Sequence, residues 1–334
     1  MKIAFFSAKS YDKEYFNRAN TGSGIEFDYF ESSLNPKTAK LLKDYDAVCA
    51  FVNDDLGRET LSELSQNGIR LVALRCAGFN HVDLHAAEGS GIRVMRVPAY
   101  SPHAVAEHAV ALILTLSRKT HKAYNRVRDS NFSLERLVGF DLNNKTVGVI
   151  GTGQIGRVFA GIMMGFNCRI LAYDPYPSEE LKNKGVSYDS LETVLKESDI
   201  ISLHCPLTPG TLRIISSKSL AMMKKGAMLI NTSRGKLINT EDVIHALRTK
   251  HLGYLGIDVY AEEEKLFFRD LSERIIDDES IMQLISFPNV LITAHQAFLT
   301  HEALTEIAET TLRNIRDYGE GRQNENIVSL SHVN

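Results

Sequence analysis

Thr146-Val147-Gly148-Val149-Ile150 runs into Gly151-Thr152-Gly153-Gln154-Ile155-Gly156, and Asp174 follows 18 residues after Gly156. The β-branched run reads as a buried parallel strand. Ile155 to Phe166 carries helical apolar spacing, and Arg169 to Tyr173 reads as a second strand that delivers Asp174. Strand, glycine turn, helix and strand form the setting in which G-x-G-x-x-G holds a dinucleotide. Gly151 permits the tight turn, Gly153 lets the backbone approach a pyrophosphate, and Gly156 lets the helix pack close to its strand. The first helical N–H groups, at Gln154 and Ile155, then face the phosphates at the positive end of the helix dipole. Asp174 is placed to accept the adenosine ribose hydroxyls. Its charge would repel a 2′-phosphate, and Pro175-Tyr176-Pro177 supplies no arginine to bind one, so NAD is expected rather than NADP.

Outward from this turn, strands alternate with helices from end to end, which implies α/β layering around parallel sheets. Before it, strands are read at 2–7, 25–29, 47–52, 70–74 and 93–97. After it come 200–204, 227–231, 254–257 and 290–293. Between the two sets, Pro98 and Pro102 punctuate the chain and one long helix is expected over 102–126. The tail, 300–319, reads as a single amphipathic helix that cannot stand alone and must pack on something; the N-terminal sheet is its natural host. The expected fold is therefore α/β, with two doubly wound parallel-sheet domains of Rossmann and flavodoxin-like type. The cofactor domain, 101–299, is inserted into a discontinuous substrate domain made of 1–100 and 300–334. The stretch 262–278, with Phe267-Phe268, looks like an insertion before the last strand.

A chain of 334 residues, 44% hydrophobic and 24% charged, has room for two domains and the balance of an ordinary globular protein. A net charge of −3 with no basic stripe gives no reason to expect nucleic acid. Cys49, Cys76, Cys168 and Cys205 form no C-x-x-C pair, and no secretory signal is read, so reduced thiols in the cytoplasm are expected. The most apolar helix, 104–116, is broken by Glu107 and His108, so no membrane span is expected. Glu262 to Lys265 lacks His or Cys ligands at metal spacing, and no metal is expected.

A nicotinamide enzyme acting on a hydroxy acid needs a cation for the carboxylate, a proton carrier for the keto or alcohol oxygen, and a group that sets the carrier's protonation. Three strand-end loops offer these: Arg234 in Asn231-Thr232-Ser233-Arg234-Gly235, Glu263 after Asp258-Val259-Tyr260, and His295 in Ala294-His295-Gln296-Ala297-Phe298. At these residues the chain resembles the D-isomer-specific 2-hydroxyacid dehydrogenases, and within them the fermentative D-lactate dehydrogenases. The likeness covers nearly the whole chain. It includes Phe51 to Asp55, Arg75-Cys76-Ala77-Gly78-Phe79-Asn80, Arg96 to Tyr100, Gly148 to Gly156, His204 to Thr208, Asn231 to Gly235, Gly256 to Tyr260 and His295 to Thr300, in the family's order.

The resemblance implies that Arg234 grips the substrate carboxylate and polarises the keto oxygen, a bidentate task for a planar guanidinium. His295 is implied as general acid when pyruvate is reduced and as base when D-lactate is oxidised. Glu263 would hydrogen-bond the imidazole and favour its charged form. The family usually places a glutamate directly after the D-V-Y triplet, where this chain has Ala261; counting five residues from Asp258 selects Glu263, and a shifted loop would select Glu262 or Glu264. Asp258 would contact the nicotinamide carboxamide, with a strand-end cap as the plainer reading. Cys205, Pro206, Thr211, Thr232 and Ser233 would line the cofactor through their loops, Cys205 without acting as a nucleophile. From the N-terminal domain, backbone N–H groups at Ala77 and Gly78 would meet the carboxylate. Tyr100 and Phe298 would wall the methyl side, though Phe298 reads equally as core. Arg75 reads either as a helper or as a structural ion pair. The expected substrate is a small 2-keto or 2-hydroxy acid, and the expected assembly a homodimer or homotetramer. The alternatives are a dehydrogenase for another D-2-hydroxy acid, or an NAD-sensing scaffold or corepressor on the same fold.

Overall fold

The computed structural model describes residues 1–330, the side chain of Lys265 excepted. The chain divides into two compact units, one of residues 1–101 with those from Leu299 onward, the other Pro102–Phe298. The first holds a six-stranded sheet in the spatial order β13-β5-β4-β3-β1-β2. Its strands are β1 (Lys2–Phe5), β2 (Glu26–Tyr29), β3 (Ala47–Ala50), β4 (Leu71–Leu74), β5 (Arg93–Met95) and β13 (Ile327–Val328). β3 and β4 are buried at every residue, as strands covered on both faces must be, which explains their unbroken apolar runs. The helix His301–Gly319 returns to this unit and buries Leu304, Ile307, Leu312 and Ile315. Its N-cap Thr300 accepts from the N–H of Ala303.

The second unit holds a seven-stranded parallel sheet, order β12-β11-β10-β9-β6-β7-β8. These strands are β6 (Thr146–Ile150), β7 (Arg169–Tyr173), β8 (Ser187–Tyr188), β9 (Ile200–Leu203), β10 (Ala227–Asn231), β11 (Leu252–Ile257) and β12 (Val290–Ile292). Alternate residues feed two cores, as the period of a strand requires. Val147, Val149, Met228 and Ile230 pack with Phe159 and Met163 on one face. Ile201, Leu203 and Leu229 pack with Leu195 and Leu255 on the other.

Three features depart from the sequence-based expectation. The helix expected over 102–126 is two helices, Pro102–Arg118 and Thr120–Arg128, because Lys119 between them adopts φ +54°. β8 and β13 were not expected; each is two residues long, too short to show a period. β13 also pairs antiparallel with β5, so the first sheet is parallel in every pairing but that one. Within 262–278, the expected insertion, a short 3-10 turn covers Glu263–Lys265 and Phe267 is buried.

Candidate active site and dinucleotide cradle

All seven strands of the second unit run parallel, so their carboxyl ends share one edge, where open α/β sheets bind ligands. Gly151 lies there after β6, Asp174 after β7, Cys205-Pro206 after β9, Thr232 to Arg234 after β10, Asp258 after β11 and His295 after β12.

The glycine turn separates three steric demands. Gly151 has φ +95°, and a Cβ on it would lie 2.5 Å from the Cys205 nitrogen. A Cβ on Gly156 would lie 2.0 Å from the Gly151 carbonyl oxygen, so the helix Gln154–Gly165 can sit this close only with glycine there. A Cβ on Gly153, by contrast, would meet nothing within 4 Å. The fold therefore demands glycine at Gly151 and Gly156, whereas the open space at Gly153 faces whatever the turn holds. A pyrophosphate would fit that cradle, and among the described residues the N–H groups of Gln154 and Ile155, in the first helical turn, donate to no protein acceptor outside the helix. Asp174 is oriented from both sides: Oδ2 accepts from Thr152 N at 2.6 Å and from Thr152 Oγ1 at 3.0 Å, and Oδ1 from Tyr176 N at 2.8 Å.

The neighbouring loops are held by internal bonds. Ser233 Oγ donates to the Cys205 carbonyl at 2.7 Å, and Thr211 Oγ1 donates to the Pro206 carbonyl at 2.6 Å. Thr232 Oγ1 is buried with no partner among the described residues, a polar atom that a ligand could satisfy. Burial pushes the Cys205 thiol up to about 11, so it is a thiol at neutral pH and no nucleophile.

Buried Asn231 shapes the Arg234 turn: its Oδ1 accepts from Ser233 N at 3.0 Å and its Nδ2 donates to the Arg234 carbonyl at 2.9 Å. Gly235 then runs against the backbone of Tyr260, where a Cβ would come within 2.1 Å of the carbonyl carbon. That contact brings the Arg234 turn to the loop carrying Glu263. Among the described residues, the Arg234 side chain makes one hydrogen bond, from Nη1 to the Ser233 carbonyl at 2.8 Å, which leaves the other guanidinium donors for a ligand.

His295 Nδ1 lies 2.8 Å from Glu263 Oε1, and Glu263 Oε2 accepts from Tyr260 N at 2.9 Å. Of the three consecutive glutamates it is Glu263 that reaches the imidazole; Glu262 and Glu264 are exposed. His295 has φ +54°, and its N–H donates to the Asp258 carbonyl at 2.7 Å. The rings of Phe268 and Phe298 flank it, with centroids 5.8 and 6.5 Å away. Phe268 lies in the stretch whose sequence reads as an insertion, and no spacing signal marks it. Asp258 is wholly buried and spends its oxygens inside the protein: Oδ1 accepts from Thr293 Oγ1 at 2.5 Å and Gln296 N at 2.9 Å, and Oδ2 from Ala297 N at 2.9 Å. These bonds make Asp258 a clamp on the loop that carries His295.

In the first unit, Ala77 and Gly78 follow β4, and among the described residues their N–H groups donate to no protein acceptor. Tyr100 lies in the segment after β5, which ends that unit's first stretch of chain. Arg75 is buried, donates to Asp12 Oδ1 at 3.3 Å and to the Ser7 carbonyl at 3.0 Å, and lies between the rings of Phe5 and Phe51 at 4.5 and 4.6 Å. It is a structural ion pair of the first unit.

Comparison with known proteins gives the chain's family and its likenesses. The family model for the NAD-binding domain of the D-isomer-specific 2-hydroxyacid dehydrogenases matches residues 110–297. D-lactate dehydrogenase of Escherichia coli is 50% identical over 96% of this chain and 98% of its own length. 2-Hydroxyacid dehydrogenase A of Aspergillus oryzae is 53% identical over 95% of this chain and 92% of its own. A solved structure of the pyruvate reductase of Chlamydomonas reinhardtii is 44% identical, with a TM-score of 0.92 over 98% of each chain.

Proposed function

The chain belongs to the D-isomer-specific 2-hydroxyacid dehydrogenases, and we propose that its reaction is the reduction of pyruvate to D-lactate by NADH. It is an NAD-dependent enzyme of that family, and the substrate assignment rests on its likeness to a D-lactate dehydrogenase and a pyruvate reductase. The observation that carries the reading is the 2.8 Å contact between His295 Nδ1 and Glu263 Oε1. A carboxylate only accepts, so Nδ1 carries the hydrogen and Nε2 is left as the atom that takes or gives a proton.

Bound NADH supplies a hydride to the keto carbon. Arg234 holds the carboxylate of pyruvate and draws electron density toward the keto oxygen. His295 Nε2–H then protonates that oxygen as it becomes the hydroxyl, and Glu263 stabilises the imidazolium before transfer and fixes the ring. In lactate oxidation the neutral ring accepts the same proton. Phe298 bounds the substrate side chain, which favours a methyl group over larger ones. Ala77, Gly78 and Tyr100 belong to the same proposal as substrate contacts supplied by the first unit. Residues 102–298 act as the NAD-binding part and the two flanking stretches as the substrate-binding part.

His295→Gln is expected to lower kcat by about 10²–10⁴-fold while NADH still binds, measured by steady-state turnover and NADH fluorescence. Near-normal turnover would remove His295 from the role. A panel of 2-keto acids with NADH separates pyruvate from branched and aromatic relatives, and a protein that binds NADH but reduces none of them would be a sensor or scaffold. For assembly we infer a homodimer or homotetramer, supported by exposed Tyr124, Val127, Phe132, Leu134 and Val138, all within 124–138. A cytoplasmic location suits four free, buried cysteines. Among the described residues no helix is long and apolar enough to cross a membrane.

A further inference from the structure

A second histidine reaches the loop that carries His295. His108, on the helix Pro102–Arg118, places Nε2 3.0 Å from Thr293 Oγ1 and 3.4 Å from Asp258 Oδ1. The direction of that bond follows from counting protons. Thr293 has one hydroxyl hydrogen, and the 2.5 Å contact with the Asp258 carboxylate uses it. The histidine must therefore donate, so its hydrogen sits on Nε2.

Asp258 is the hub of this chain. Burial pushes its carboxyl up, but the bonds from His108, Thr293 and the Ala297 backbone outweigh that, and it is held below the usual carboxylate range. As a carboxylate it accepts the N–H groups of Gln296 and Ala297, while its own carbonyl accepts the N–H of His295. Three consecutive amides of the loop are thus fixed to one residue. They hold His295 at φ +54°, a left-handed conformation that a β-carbon-bearing residue keeps only where its surroundings impose it.

We propose that His108 is a positioning residue for proton transfer: through Thr293 and Asp258 it locks residues 294–297 and so aims the imidazole of His295. The inference rests on the reading of His295 as the proton carrier. Glu263 fixes the ring at Nδ1, and the His108 chain fixes the backbone from which the ring hangs. A displacement of about 1 Å at a reacting group can cost about 100-fold in rate, so the effect belongs in kcat.

His108→Leu keeps the bulk and removes the donor. Its kcat is expected to fall about 10- to 100-fold, with KM for pyruvate and Kd for NADH nearly unchanged and amide exchange at Gln296 and Ala297 accelerated. His108→Gln, whose side-chain amide can place an N–H where Nε2 stands, should recover most of the lost kcat and restore amide protection. If His108→Leu does not fold, Thr293→Val against Thr293→Ser poses the same question one bond further along. A kcat for His108→Leu equal to that of the parent, a glutamine variant as poor as the leucine one, or unaltered amide exchange would each overturn the proposal. A parent enzyme that reduces no 2-keto acid would overturn the functional reading instead, and the exchange measurement would still judge the clamp.

Discussion

His204 shows how much one side chain can contribute beneath a ligand cradle. It directly precedes Cys205, its Nε2 lies 2.8 Å from Ser202 Oγ, and its ring packs 4.7 Å from that of Phe159. Burial pushes its pKa down to about 3 from an ordinary 6.5. Between those values the unfolded chain binds a proton that the folded one refuses, so stability is full above about pH 6.5 and falls as the pH drops toward about 3. The slope is at most about 1.4 kcal/mol per pH unit, an upper limit because the residue keeps some surface contact. His204→Gln, which retains a polar partner for Ser202, is expected to flatten the acid limb of stability measured by urea unfolding across that window; an unchanged slope would assign the acid sensitivity to other groups. At this scale the sequence made residue types legible and their bonds much less so. Arg234, Glu263 and His295 could be singled out because each lies in a loop that follows a strand of the second sheet. That Asp258 closes on the backbone of Gln296 and Ala297 depends on loop geometry, and His108 on a helix face carries no spacing signal at all.

At the scale of the element, the strand–turn–helix of Gly151 to Gly156 was readable because each glycine answers a separate steric demand. The same separation makes a paired prediction. Gly153→Ala adds a methyl group in open space at φ −63°, so the thermal midpoint should hold while NADH affinity drops about tenfold or more, the pyrophosphate having lost its approach. Gly156→Ala drives a Cβ to within 2.0 Å of a backbone oxygen and should lower both the thermal midpoint and the affinity. Melting curves and NADH fluorescence on the two variants check this, and an unaffected Gly156→Ala midpoint would contradict the close packing of helix on strand. Elements without such punctuation were misjudged. The break at Lys119 sits inside an apolar periodicity with neither Gly nor Pro to announce it, and φ +54° there is a decision of packing rather than of composition. β8 and β13, two residues each, fall below the length at which alternation can be seen.

For the molecule as a whole, alternating strand and helix patterns announced two sheets, parallel except where β13 pairs with β5. The residues from Leu299 onward join residues 1–101 because the helix His301–Gly319 has a buried face that needs a host. Asn314 on that helix is also buried and donates to the Arg96 carbonyl at 2.9 Å. Burying Leu304, Ile307, Leu312 and Ile315 is worth about 1.5–3 kcal/mol for each side chain. Their sum is on the order of the whole stability of a domain. A chain ending at Phe298 should therefore lose the first unit and keep the second: residues 1–101 become sensitive to protease and exchange their amides freely, whereas 102–298 still bind NADH and turnover is abolished. Adding the missing segment in trans, as a peptide spanning 299–330, should restore protection to the first unit in proportion to its occupancy. Protection of residues 1–101 in the truncated chain without the peptide would show that this unit folds without its C-terminal helix, and that the discontinuity of the chain carries no energetic weight.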